Sequence, residues 1–212
     1  MSPDAETRGA ALEKCKKALS LADRIGARVA VNIAGSRGEK WDGPAAPDLT
    51  EDAFGMIVET TREIIDAVKP SRSHYALETM PWMYPDSPDS YIRLIEAIDR
   101  RELAVHFDPV NMIHSPQRYF RNGDFMRECF GLLGERIRSC HAKDILLGQK
   151  LTVHLDEVCP GDGALDYRVF LTELDKLDPD IPLMLEHMKE EADYDRGYAH
   201  IKGVADEAGV RV

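Results

Sequence analysis

The sequence predicts an α/β fold of repeated βα units, an incomplete (β/α)8-type barrel with about five parallel strands in a single domain. Three observations carry that expectation. Amphipathic helical patterns alternate with short apolar runs from one end of the chain to the other. Four of those runs finish on a residue able to bind a metal, at Glu78, Asp108, His141 and Glu186, and parallel barrel strands aim their C-terminal ends at one shared face. The gaps between the four are 30, 33 and 45 residues. A βα unit occupies roughly 30 residues, so the first two gaps are single repeats and the third is a repeat with an insertion.

Each element has a local reason. Residues 10–25 place Leu12, Cys15, Leu19, Ala22 and Ile25 on one helical face, and Gly26 closes the helix. Residues 28–34 read as a strand. Thr50 caps a second helix that runs to Val68 and is stopped by Pro70, and residues 73–78 form the next strand. Ser87 or Ser90 opens a helix to Arg101, followed by a strand over 103–108, a helix over 120–133 and a strand over 137–141. An excursion over 145–163, ending in Pro160-Gly161-Asp162-Gly163, accounts for the long third gap. A helix over 167–177, a strand over 181–186 and a closing helix over 194–208 complete the order.

A closed barrel of this type has eight strands, and five are three short. The chain opens on a helix, so the expected deficit is at the N-terminus and the domain is expected to be a truncated barrel. The strand that begins at Arg28 should then be an edge, with a homo-oligomer as one way of covering it.

Composition bounds the partners. A formal charge of −11 argues against binding a nucleic-acid backbone, which relies on clustered Lys and Arg. A small neutral substrate fits better. The absence of a long apolar run or a signal-like N-terminus leads us to expect a cytoplasmic protein that does not enter membranes. Cys15, Cys129, Cys140 and Cys159 lack metal-finger spacing and are expected to be free thiols.

Strand alternation sorts the remaining side chains. It places Asn32 inward between Ala30 and Ala34, His106 below Asp108, Ser139 below His141, Met184 below Glu186, and Lys143 on the inward side. Three carboxylates and one imidazole are a hard, oxygen-rich set, suited to Mn²⁺, Mg²⁺ or Co²⁺ more than to a thiolate zinc site, with Zn²⁺ still open. The segment Met80-Pro81-Trp82-Met83-Tyr84-Pro85 follows Glu78 directly, and Trp82 is a candidate to stack on a face of a small substrate. His187 points away from the ligand side of its strand, which suggests a supporting role. The segment 35–41 has no phosphate-loop spacing and reads as a mobile lid.

With these residues in place the sequence resembles the xylose isomerase-like superfamily of TIM-barrel sugar isomerases and epimerases. The resemblance rests on Ala76-Leu77-Glu78, Phe107-Asp108-Pro109-Val110-Asn111, His141-Ala142-Lys143-Asp144, Pro160-Gly161-Asp162-Gly163, Leu165-Asp166-Tyr167 and Leu185-Glu186-His187. It implies that Glu78, Asp108, His141 and Glu186 bind one divalent metal ion, with Mn²⁺ first. It also implies proton transfer next to a sugar carbonyl through a metal-stabilised enediolate, with Glu78 and Glu186 exchanging the proton and Lys143 steadying the oxyanion. Asn111 stands where such epimerases commonly carry a substrate-contacting His; it hydrogen-bonds but does not titrate near neutrality. Asn111 and His114 are therefore the substrate-binding candidates beside Trp82.

Two alternatives share the barrel. An inosose-type dehydratase would use the same enolate and expel a hydroxyl. A metal-dependent AP endonuclease would need more histidines and a basic groove, and both are lacking. A third alternative is a catalytically silent, truncated metal-binding fragment.

Overall fold

The computed structural model describes residues 1–211. The chain divides into two compact units, Met1–His106 and Phe107–Val212.

In the first unit α1 (Ala5–Ile25) begins five residues before the expected start, because Asp4 caps it: its carboxylate accepts the Thr7 N–H at 2.7 Å. Gly26 ends it at φ 77°, a left-handed conformation that an L side chain would strain. Asp23, in the last turn of α1, accepts the backbone N–H groups of Ser71, Arg72 and Ser73, just ahead of the strand that starts at His74. β1 (Val29–Asn32), β2 (His74–Glu78) and β3 (Leu103–Phe107) are parallel and lie in that order. The helices α2 (Glu51–Val68) and α3 (Pro88–Ile98) form the crossovers, as parallel pairing requires. Thr50 caps α2 and Ser87 caps α3, while Arg62 donates to the Ala97 and Ile98 carbonyls at the far end of α3. β1 is the edge, paired only with β2 among the described residues.

The register corrects one expectation. Val31 pairs with Ala76 and Asn32 with Leu77, and residues paired in a parallel ladder share a face. Asn32 therefore lies on the helix side, where its amide donates to the Tyr75 hydroxyl at 3.0 Å and approaches Cys15 Sγ in α1 at 3.4 Å. Val31, opposite Ala76, takes the inward face in its place.

The second unit carries α4 (Pro109–Met112), α5 (Pro116–Phe120), α6 (Asn122–Leu133), β4 (Ile137–Ala142), β5 (Asp144–Leu147), β6 (Leu155–Val158), α7 (Tyr167–Leu174), β7 (Leu183–Leu185) and α8 (Glu191–Ala208). β4 and β7 are parallel, with His141 opposite Met184. The helix expected over 120–133 breaks at Arg121, and Asn122 locks the break by donating to the Ala164 carbonyl and accepting the Asp166 N–H. Phe107, Phe130 and Phe170 form a buried aromatic cluster, with ring centroids 5.0 to 6.0 Å apart.

The expected excursion is a second, antiparallel element. β5 and β6 pair with Ile145 opposite Glu157 and Leu147 opposite Leu155. The buried Asp144 carboxylate clamps the return, accepting the N–H groups of Ile145, Gly161, Gly163 and Leu165 at 2.8 to 3.2 Å. A Cβ at position 163 would collide with Asp144 Oδ1 and the Ile145 carbonyl, so the close approach needs glycine there.

With three parallel strands in the first unit and two in the second, each with its helix, the chain supplies five βα repeats of an incomplete (β/α)8 barrel. All four cysteines are free. No helix among the described residues is long and apolar enough to cross a membrane.

Candidate metal centre

β3, β4 and β7 each place a candidate ligand at or just beyond a C-terminal end. Asp108 follows β3 and is fully buried. One of its carboxylate oxygens caps α4 by accepting the Asn111 N–H at 3.2 Å. The other lies 2.8 Å from Lys143 Nζ and 3.7 Å from His141 Nδ1. Glu186, one residue past β7, brings Oε2 within 3.1 Å of His141 Nδ1 and 2.7 Å of Lys143 Nζ. Asp108, His141 and Glu186 thus offer ligand atoms within 4.8 Å of one another, and they form a group able to hold a divalent metal ion. The two carboxylates and one imidazole are a hard set.

Lys143 is the second feature of the site. Although its side chain is almost wholly buried, its ammonium touches three carboxylates, with Glu157 Oε2 at 3.1 Å as the third. A buried ammonium needs such partners. The adjacent Asp144 is spent instead on the loop N–H groups, and the Tyr167 hydroxyl donates to the Lys143 carbonyl at 3.0 Å. Burial alone would lower the Lys143 pKa, but Asp108 and Glu186 raise it, so the ammonium stays charged.

The carboxylates show the reverse balance. Burial works to raise Asp108 and Glu186, and the His141 and Lys143 contacts override it, holding Asp108 below the ordinary carboxylate range and Glu186 down to about 2. A carboxylate depressed in the folded state adds stability above its unfolded pKa, and that stability is lost as pH falls through the folded value. Glu186 should therefore contribute fully above about 4.5 and lose its contribution between there and about 2. Chemical denaturation across that range should show the Glu186→Gln variant with a shallower acid loss than the parent; equal slopes would refute it.

Glu78 belongs to the first unit, at the end of β2. There the register sets it opposite His106, which is buried, and the two offer ligand atoms within 4.8 Å of one another. Trp82 is also in the first unit and donates its indole N–H to the Asp42 carbonyl at 3.0 Å. The neighbouring segment 35–41, expected to be a lid, is held down by the buried Asp48, which accepts from Ser36 Oγ at 2.6 Å and from the Arg37 N–H at 2.7 Å. Asn111 lies on α4, within one turn of Asp108. His114 is exposed and its Nε2 accepts from Arg118 at 2.7 Å. His187 takes φ 59° and meets Glu157 Oε1 at 2.8 Å through Nδ1.

Sequence reasoning missed Glu157. It stands beside Lys143 only because β5 and β6 pair, and no spacing in the sequence announces that pairing.

The βα repeats, with a hard group of candidate ligands at strand ends, define the parallel-barrel class. The xylose isomerase-like TIM barrel family matches residues 1–204, and the chain belongs to it. Solved structures of similar fold include a xylose isomerase-like TIM barrel protein from Mycobacterium smegmatis in complex with magnesium, at 16% identity and a TM-score of 0.72, covering 97% of this chain and 70% of that one. A probable 3-DHS dehydratase involved in petrobactin synthesis from Bacillus anthracis is similar at 19% identity and a TM-score of 0.70, with 97% and 73% covered. A D-tagatose 3-epimerase-like protein is similar at 16% identity and a TM-score of 0.72, with 98% and 73% covered. No curated protein matches the sequence.

Proposed function

We propose that the chain is a divalent-metal-dependent sugar isomerase or epimerase that moves a proton next to a carbonyl. The observation that carries the reading is the gathering of Asp108, His141 and Glu186 around the charged Lys143. We propose Glu78 as the fourth ligand: it stands opposite His106, and the chain runs from His106 through Phe107 directly to Asp108. Mn²⁺ is the first choice of ion for this set, with Mg²⁺, Co²⁺ and Zn²⁺ as alternatives. A divalent ion held there supplies the positive charge that polarises a sugar carbonyl and acidifies the neighbouring C–H.

The protein's own groups would do the rest. Glu78 and Glu186 would take and return the proton on opposite faces of the sugar, and Lys143 would donate a hydrogen bond to the oxygen that gains negative charge. Trp82 would cover the sugar ring, with Asn111 and His114 hydrogen-bonding its hydroxyls. The two units would then act as one domain, on a small sugar and in the cytoplasm.

The magnesium complex of a similar structure and the epimerase-like neighbour support the reading. The dehydratase neighbour keeps a lyase as the second reading, and the site has an ammonium beside the ligands that would serve an expelled hydroxyl equally well. Incubating the protein and Mn²⁺ with a panel of keto sugars and inososes in D₂O tests both. Solvent deuterium next to the carbonyl without mass loss supports the isomerase or epimerase, loss of water supports the lyase, and neither, with metal bound, supports a silent metal-binding chain.

A further inference from the structure

Lys143 and a divalent ion would compete for the same oxygens. Lys143 Nζ lies 2.7 Å from Glu186 Oε2 and 2.8 Å from Asp108 Oδ2, and these are the atoms that also approach His141 Nδ1. An oxygen that turns its charge to a metal ion has less to offer an ammonium beside it. A nearly inaccessible ammonium cannot make up the loss from water, so it needs another anion within reach.

Glu157 is that anion. Its Oε2 meets Lys143 Nζ at 3.1 Å, and its Oε1 is fixed from the other side by His187 Nδ1 at 2.8 Å. It stands on β6, opposite Ile145 in the hairpin register, and the return of that hairpin is pinned by the Asp144 clamp. The carboxylate is thus held on a braced element, and it is not one of the grouped ligands.

We infer that Glu157 is a positioning residue that retains Lys143 when Asp108 and Glu186 turn to a divalent ion, and that it thereby sets the affinity for that ion. The inference rests on the divalent-metal reading above. Without the metal, Glu157 is one of three anions on Lys143; with the metal, it is the principal one. Removing its charge should therefore cost the metal-bound state more than the metal-free state.

The test is a double-mutant cycle on Mn²⁺ affinity, measured by calorimetry with no substrate present. Glu157→Gln should weaken Mn²⁺ binding by about tenfold, the effect of losing one charge-assisted hydrogen bond. Lys143→Met should tighten it, because the competitor is gone. In the Lys143→Met background, Glu157→Gln should change the affinity by less than about twofold, since the two residues act as one unit. Thermal unfolding checks that each variant is folded, and Lys143→Gln replaces Lys143→Met if the latter does not fold. A tenfold loss that persists without Lys143 would make Glu157 a ligand or a general support of the site, and would overturn the proposal. So would a Glu157→Gln variant that binds Mn²⁺ like the parent. A parent that binds no divalent ion overturns the metal reading itself, and the proposal with it.

Discussion

Asp108→Asn is expected to abolish metal-dependent stabilisation while leaving a folded protein. The substitution keeps the shape of the side chain and one acceptor oxygen for the Asn111 N–H that caps α4. It removes the charge at the proposed ligand that is fully buried, 2.8 Å from Lys143. Partners that merely support ligands typically contribute about 10–100-fold in metal affinity, so losing a ligand charge should weaken Mn²⁺ by about 100-fold or more. Breaking an isolated buried ion pair costs about 3–5 kcal/mol. The cost here should be smaller, because Lys143 keeps Glu186 and Glu157. Mn²⁺ at 100 times its dissociation constant stabilises the parent by about 2.7 kcal/mol. Melting curves with and without Mn²⁺ should separate for the parent and nearly coincide for Asp108→Asn, which would retain about 0.4 kcal/mol or less. A variant stabilised as much as the parent would remove Asp108 from the site.

Asp144→Ala should be the most destabilising single change away from the ligands. The carboxylate serves four backbone donors, on Ile145, Gly161, Gly163 and Leu165, at a position almost closed to water. Each buried donor left without an acceptor costs about 1–3 kcal/mol. Some will find water once the loop loosens, so a net loss on the order of 3–5 kcal/mol is expected. For a chain of this size that is a fall in Tm of roughly 6–20 °C. The same loosening should release β6 and carry Glu157 away from Lys143, so metal affinity should fall together with stability. Thermal and denaturant unfolding check the first part and calorimetry the second. A loss below about 1 kcal/mol would show that the loop does not depend on Asp144.

The parallel strands were legible in the sequence because each is a short apolar run that stops at a polar residue, and the crossover helices because Thr50, Ser87, Pro70 and Gly26 punctuate them. The proposed ligands read out of the sequence in the same way, since Glu78, Asp108, His141 and Glu186 each close a run. What escaped depends on pairing. The face of Asn32 is decided by its alignment with Leu77, and its neighbours Ala30 and Val31 fit either face by size. The β5–β6 hairpin escaped because Asp156 and Glu157 interrupt the apolar pattern of β6, and its register is set by contact with β5 rather than by a tight-turn signature. Lys143 was visible as an inward residue, but its choice of strand-end carboxylates over Asp144 follows from the loop N–H groups that claim Asp144 first.

The most direct test of the metal centre is the anomalous scattering of a crystal soaked in Mn²⁺. One strong peak is expected, roughly 2.0–2.3 Å from ligand atoms of Glu78, Asp108, His141 and Glu186, with Lys143 moved off Glu186 and still against Glu157. No peak at saturating Mn²⁺, with Lys143 still bridging Asp108 and Glu186, or a peak held by other residues, would contradict it.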